Sequence, residues 1–236
     1  MLEVRNLCVN LGRAQLLFDV SFTAAAGEVL VLVGRNGAGK STTIKAIMGL
    51  ISDVTGEVHF DGAPITGLTA HEIARRGLGY VPEDRRIFTG LTVAENLEVG
   101  RQPSRENVND APRWTVDRVC ELFPKLADML DRPGGHMSGG EQQMLTIART
   151  LMGNPKAVLL DEPSEGLSPL IVEQMASAVI AMKREGLAVL LSEQNLAFAS
   201  AIADRAYVIE SGHIRRSGLM RDILDDASVR ENYLAV

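Results

Sequence analysis

The chain has 236 residues, 46% of them hydrophobic, which is enough for one large domain or two small ones with a proper core. A formal net charge of -6, spread along the chain, argues against a nucleic-acid binder driven by bulk charge. Two distant cysteines, Cys8 and Cys120, read as reduced thiols of a cytosolic protein, and the four histidines form no metal-ligand pattern. No signal peptide is visible at Met1, and no apolar run approaches the roughly 18 residues of a membrane helix. Any membrane role must therefore go through a partner.

The first sixty residues are strand-rich: LEVRNLCVN, LLFDVSFTA and GEVHF are separated by turn signals. Among them GEVLVLVG is a continuous apolar run of the buried-strand type. It leads into Gly34-Arg35-Asn36-Gly37-Ala38-Gly39-Lys40-Ser41-Thr42, which fits G-x-x-x-x-G-K-[ST] between a strand and the helix KSTTIKAIMGL. The glycines let the backbone turn and aim N–H groups at phosphate oxygens, and the helix start adds a positive dipole end. Lys40 supplies a point charge for the β- and γ-phosphates, and the Ser41 hydroxyl is placed to bind Mg²⁺. A dinucleotide fold is disfavoured, because Gly37-Ala38-Gly39 continues into Lys40 rather than to a third glycine.

Farther along, GLGYVP reads as a strand and RQPSRENVNDAPR (Arg101 to Arg113) as a loop. From about Thr92 to Met152 the pattern is mainly helical, with TVDRVCELFPKLADML and EQQMLTIARTLMG as helices, which predicts a helical subdomain. Ser138 and Glu141 form an S-x-x-E capping box, but the box does not explain Gly139 and Gly140, each costing about 1 kcal/mol against Ala in a helix. Glycines there let another backbone, or a phosphate, come close.

AVLLDEP places Asp161 and Glu162 at the C-terminal end of a buried strand, where ligands of parallel sheets bind. Asp161 can hold Mg²⁺ through water, and Glu162 is the candidate base for an attacking water. In the helix PLIVEQMASAVIAMKREG, Val172, Met175, Ala176, Val179 and Ile180 follow one face. The strand LAVLLS then breaks into Ser192-Glu193-Gln194-Asn195; Asn195 is expected to cap the helix LAFASAIA and Glu193 to be solvated. RAYVIE is the last strand expected. Strands alternating with helices imply an α/β fold with a mostly parallel sheet.

The phosphate loop, MSGGEQQ and LLDEP, in this order and spacing, resemble the ATP-binding cassette (ABC) ATPases from about Leu2 to Gly218. The resemblance implies one domain, 1–236, with a P-loop NTPase (RecA-like) core, an antiparallel β subdomain and a helical subdomain of about 92–152. It also implies ATP and Mg²⁺ as ligands and two such domains sandwiching ATP head to tail. Ser138, Gly139 and Gly140 would then touch the γ-phosphate held by a second subunit, a copy or a paralogue. YVPEDRRIFTGLTVAENL, DEPSEGLSP and SEQN look like the ATPases of branched-chain amino acid importers, with urea and amide importers carrying similar sequences. Such ATPases work with transmembrane permease subunits and a separate solute-binding protein, from the cytoplasmic face of the membrane. RRIFTGL would be the docking surface for a permease helix. A nucleotide-gated scaffold outside transport shares the same motifs, and a catalytically silent module is the remaining alternative.

Four positions depart from the wider family. Glu83 stands where most members have Gln, and it can still coordinate a hard cation. Ser168 stands for Asp and is a good N-cap before Pro169. Leu11 replaces the aromatic that stacks on adenine, a loss of about 0.5–1.5 kcal/mol that Arg13 could offset by stacking. Gln194 stands for the His that contacts the γ-phosphate, offering a donor that does not titrate near neutral pH.

Overall fold

The computed structural model describes residues 1–102 and 114–229. Residues 103–113, most of the stretch read as a loop, lie outside the described residues. Six strands form the central sheet in the order β10-β9-β3-β8-β7-β6. They are β3 (Val29–Val33), β6 (Leu78–Val81), β7 (Ala157–Asp161), β8 (Ala188–Glu193), β9 (Arg205–Glu210) and β10 (His213–Leu219). All neighbours pair in parallel except β10, which runs antiparallel to β9 along one edge. A second, antiparallel sheet has the order β2-β1-β4-β5, from β1 (Leu2–Leu11), β2 (Ala14–Ala24), β4 (Val54–Phe60) and β5 (Ala63–Pro64).

The central strands read as unbroken apolar runs because both faces of the sheet are covered. Val29, Val31, Val33, Val158, Leu160, Val189 and Leu191 face one core; Leu30, Leu32, Leu159 and Leu190 face the other. The first core packs α7 (Pro169–Arg184), α8 (Leu196–Ile202) and α9 (Met220–Asp225), with α10 (Ala227–Val229) at the end of the described chain. It continues into the helices between β6 and β7: α3 (Val93–Gly100), α4 (Val116–Leu122), α5 (Pro124–Ala127) and α6 (Gly139–Leu151). The second core packs α1 (Lys40–Ile47), α2 (Ala70–Arg76) and the antiparallel sheet. This is the layout expected: an α/β core, an antiparallel β part and a helical part. Among the described residues no helix is long and apolar enough to cross a membrane. Cys8 and Cys120 are free thiols.

Several local expectations need correction. The helix expected over TVDRVCELFPKLADML is two short helices, because Pro124 cannot continue the ladder and starts α5. The buried face of α7 is Ile171, Met175, Ala178, Val179 and Met182, while Val172, Ala176 and Ile180 are only partly buried at its flank. Strand β10 was not expected: HIRRSGL is a polar edge whose pairing is through backbone. Ser168 stands at the N-cap of α7 but makes no side-chain cap bond; the Ile171 N–H donates to the Ser168 carbonyl instead, at 2.9 Å. Glu193, expected to be solvated, is 1% exposed, because β8 continues through it.

Candidate active site

Strand register sets the site. Val33↔Glu193 and Asp161↔Ser192 are Cα partners, so the ends of β3, β8 and β7 share one rim of the sheet. The chain leaves β3 through the phosphate loop. Gly34 is required by close approach: an added Cβ would lie 2.3 Å from the Ile209 carbonyl oxygen. Gly37 and Gly39 are required by backbone, with φ of 77° and 113°. Lys40, the first residue of α1, folds back over the loop. Its Nζ donates to the Gly34 carbonyl at 2.8 Å and to the Arg35 carbonyl at 3.1 Å.

The same Nζ lies 3.0 Å from Glu162 Oε1, with both side chains buried. Glu162 adopts φ 48°, the left-handed region that a non-glycine residue enters only when its surroundings hold it there. Its N–H donates to the Ser192 carbonyl and to Ser192 Oγ, both at 3.1 Å. Ser192 Oγ in turn donates to Asp161 Oδ1 at 2.7 Å, and Tyr80 Oη reaches Asp161 Oδ2 at 3.5 Å. Burial, then the Asp161 charge, pushes the Tyr80 phenol well above its usual value, so it stays a donor.

A cavity of about 280 Å³ opens on this rim. Asn36, Gly37, Gly39, Lys40, Ser41 and Thr42 line one side, and Glu83, Glu162 and Glu165 the other. Glu165 was not singled out in the sequence. Its carboxyl is raised, first by desolvation and then by the Glu162 and Glu83 charges. The cavity thus brings together Lys40, Ser41, Glu83 and Glu162. Asp161 is 0% exposed beneath it, and Gln194 is exposed at the end of β8; neither lines it.

The Ser41 hydroxyl and the Glu83 carboxylate are hard oxygen donors suited to Mg²⁺, which is held by one or two carboxylates with water and phosphate completing its shell. Among the described residues no group of three or more His, Cys, Asp or Glu could hold a metal alone. Water and phosphate oxygens would complete such a shell.

Ser138, Gly139 and Gly140 lie on another surface, the start of α6. The capping box is formed: Ser138 N–H donates to Glu141 Oε2 at 2.7 Å and Glu141 N–H to Ser138 Oγ at 3.4 Å. Within this chain packing accounts for Gly140, where an added Cβ would meet Ile171 Cγ1 at 2.9 Å, but not for Gly139, where it would meet only the far end of the Arg85 side chain, Nη1 at 2.9 Å, which can swing aside. The Glu83 loop is tied to the same helix. Thr146 Oγ1 donates to the Arg85 carbonyl at 2.9 Å and Arg149 Nη2 to the Arg86 carbonyl at 2.7 Å.

Comparison with known proteins decides what this loop, this carboxylate pair and this helix start belong to. The ABC transporter family model matches residues 17–165. The chain belongs to the ABC transporter family. It is an ATP-binding, ATP-hydrolysing domain of that family. It is 42% identical over 234 residues to the high-affinity branched-chain amino acid transport ATP-binding protein BraG of Pseudomonas aeruginosa, covering 99% of both chains. It is 35% identical over 235 residues to the lipopolysaccharide export system ATP-binding protein LptB of Escherichia coli K12, covering 99% of this chain and 96% of that one. Among solved structures, a nucleotide-free ATP-binding cassette from an ABC transporter matches with a TM-score of 0.83 at 28% identity, over 100% of this chain and 98% of that one.

Proposed function

We propose that this ABC ATPase drives an importer for branched-chain or related amino acids. The end-to-end 42% identity to a branched-chain amino acid transport ATPase carries the reading. The cavity supports its chemistry. ATP phosphates enter between the phosphate loop and Glu162, and Lys40 exchanges part of its contact with Glu162 for the γ-phosphate. Glu162, released from the ammonium, takes a proton from a water placed in line with the γ-phosphorus. The new P–O bond forms as the bond to the β-phosphate oxygen breaks. Gln194 donates to a γ-phosphate oxygen from the end of β8. Ser41 and Glu83 would hold Mg²⁺, with the buried Asp161 reached only through water, and the ion would neutralise phosphate charge. Ser138, Gly139 and Gly140 of a second subunit, a copy of this chain or a paralogue, close the site with the N–H groups of their helix start.

Transmembrane permease subunits convert this closure into transport, with a solute-binding protein delivering cargo. The chain then sits peripherally on the inner face of the membrane. A groove of about 430 Å³ between the core and the helical part supports permease docking. Met48, Tyr80, Phe88, Val99 and Arg149 line it, and Phe88 and Val99 are 48% and 54% exposed.

The 35% identity to a lipopolysaccharide export ATPase favours a second reading, export of an amphiphile through the same ATPase cycle. Purification of the chain from solubilised membranes, followed by ATPase assays of the complex, separates the two. Stimulation by a branched-chain amino acid with its binding protein supports import. Stimulation by a lipidic substrate overturns it, and a complex without hydrophobic subunits removes transport altogether.

A further inference from the structure

The strongest unexplained group lies beside the site. Glu193 is 1% exposed and has no ion-pair partner among the described residues. It belongs to the same alternation as Val189 and Leu191, so its side chain enters the core on the α7 and α8 face. There its carboxylate accepts two backbone N–H groups, Ser164 N–H on Oε1 and Asn195 N–H on Oε2, both at 3.1 Å. A buried carboxylate without a cation is an expensive way to hold a core together, and an apolar residue would fill the same space at less cost.

Its two partners explain the expense. Ser164 lies inside the turn that begins at the strained Glu162 and is closed by the Glu165 N–H on the Glu162 carbonyl at 3.2 Å, and Ser192 already holds the start of that turn through the Glu162 N–H. Asn195 follows Gln194 and caps α8, accepting from Phe198 N–H at 3.1 Å. One side chain therefore spans the turn bearing the candidate base and the turn bearing the candidate phosphate donor. A left-handed Glu162 persists only while both ends of its turn are pinned.

We propose that Glu193 is a positioning residue for hydrolysis, its buried carboxylate clamping the Glu162 turn to the Gln194 turn. The inference rests on the reading of Glu162 as the base. Desolvation holds the Glu193 carboxyl above its usual value, so the ionised form is costly in place and a neutral amide of the same size is tolerated. A Gln amide, however, keeps one acceptor oxygen and turns an NH₂ group toward the other N–H donor.

The test uses the full chain with the subunits that co-purify with it. Glu193→Gln is expected to lower kcat about tenfold, leave KM for ATP within about twofold and keep or raise the thermal midpoint. Glu193→Asp, which keeps charge but shortens reach, should not rescue kcat. Combined with Gln194→Ala, Glu193→Gln should slow turnover by less than the product of the two single effects, because both act through one turn. Wild-type kcat in Glu193→Gln, or a kcat loss that tracks a fall in thermal midpoint with a rise in KM, would overturn the clamp. Glu162→Gln run in parallel separates the two ideas. If that variant turns over normally, the base assignment fails; if it is inactive while Glu193→Gln is normal, only the clamp fails.

Discussion

Two surfaces of this chain are expected to face phosphate, and they are built on different plans. At the sheet rim the central polar groups brace one another across the chain: Lys40 by Glu162 and two carbonyls, Glu162 by Ser192, Asp161 by Ser192 and Tyr80, Ser164 by Glu193. The start of α6 is held by its own capping box and is partly open, with Ser138 exposed. Hydrolysis needs groups fixed before the substrate arrives, since reorganisation during the reaction raises the barrier. A surface that closes on a second subunit needs only a stable helix start and room for a phosphate. On this view the rim supplies the chemistry and the α6 start supplies the gate.

Substitutions should separate the two surfaces by what they cost. Lys40→Ala removes the charge on the rim and should weaken ATP binding at least about a hundredfold, with turnover lost alongside, as nucleotide titration would show. Gly139→Asp places a carboxylate at the α6 start, where an acid suits the helix dipole but repels phosphate. It should leave ATP binding to the chain unchanged and slow turnover about a hundredfold. Equal losses of binding and turnover there would break the distinction. Gln194→Ala should slow hydrolysis about tenfold with little change in KM, and turnover should show no imidazole-like titration from this position.

The smallest effect is on stability, and its pH dependence has opposite sign at the two surfaces. The backbone N–H of Ser138 holds Glu141 below the usual 4.5, so the cap contributes above that pH and is lost as pH falls through the lowered value. Burial holds Glu193 above 4.5, so its penalty is absent below that pH and grows as pH rises through the raised value. Wild type should melt above Glu141→Gln and at or below Glu193→Gln near pH 7, by about a few degrees. Both differences should shrink on acidification toward pH 4. Melting curves that move in the same direction for the two variants would contradict the contrast.

Much of the rim is legible in the sequence, for a physical reason. A parallel sheet covered on both faces demands unbroken apolar strands, and GEVLVLVG, AVLLDE and LAVLLS stand out against their surroundings. Spacing alone then places Lys40 and Ser41 at the helix start that follows one of these strands and Glu162 at the end of another. What could not be read depends on side-chain direction. Ser192 and Glu193 look like a polar strand end, yet Glu193 continues the alternation of Val189 and Leu191 into the core. Glu165 enters the cavity only because of the turn after Glu162, which no local pattern announces. Strand β10 was hidden because an edge strand needs backbone partners and no apolar face; all of its residues are only partly buried or exposed. The reverse error occurred at Ser168, where residue type suggested a cap bond that the side chain does not make.

The most direct test is occupancy against turnover in Glu162→Gln. The purified variant is given radiolabelled ATP with Mg²⁺, and bound nucleotide and released phosphate are measured on the same sample. The rim account predicts phosphate release reduced by about 10²- to 10⁴-fold with ATP retained at wild-type occupancy or above. Release within a few-fold of wild type, or loss of bound ATP in step with activity, would contradict the assignment of Glu162 as the base on which the site is organised.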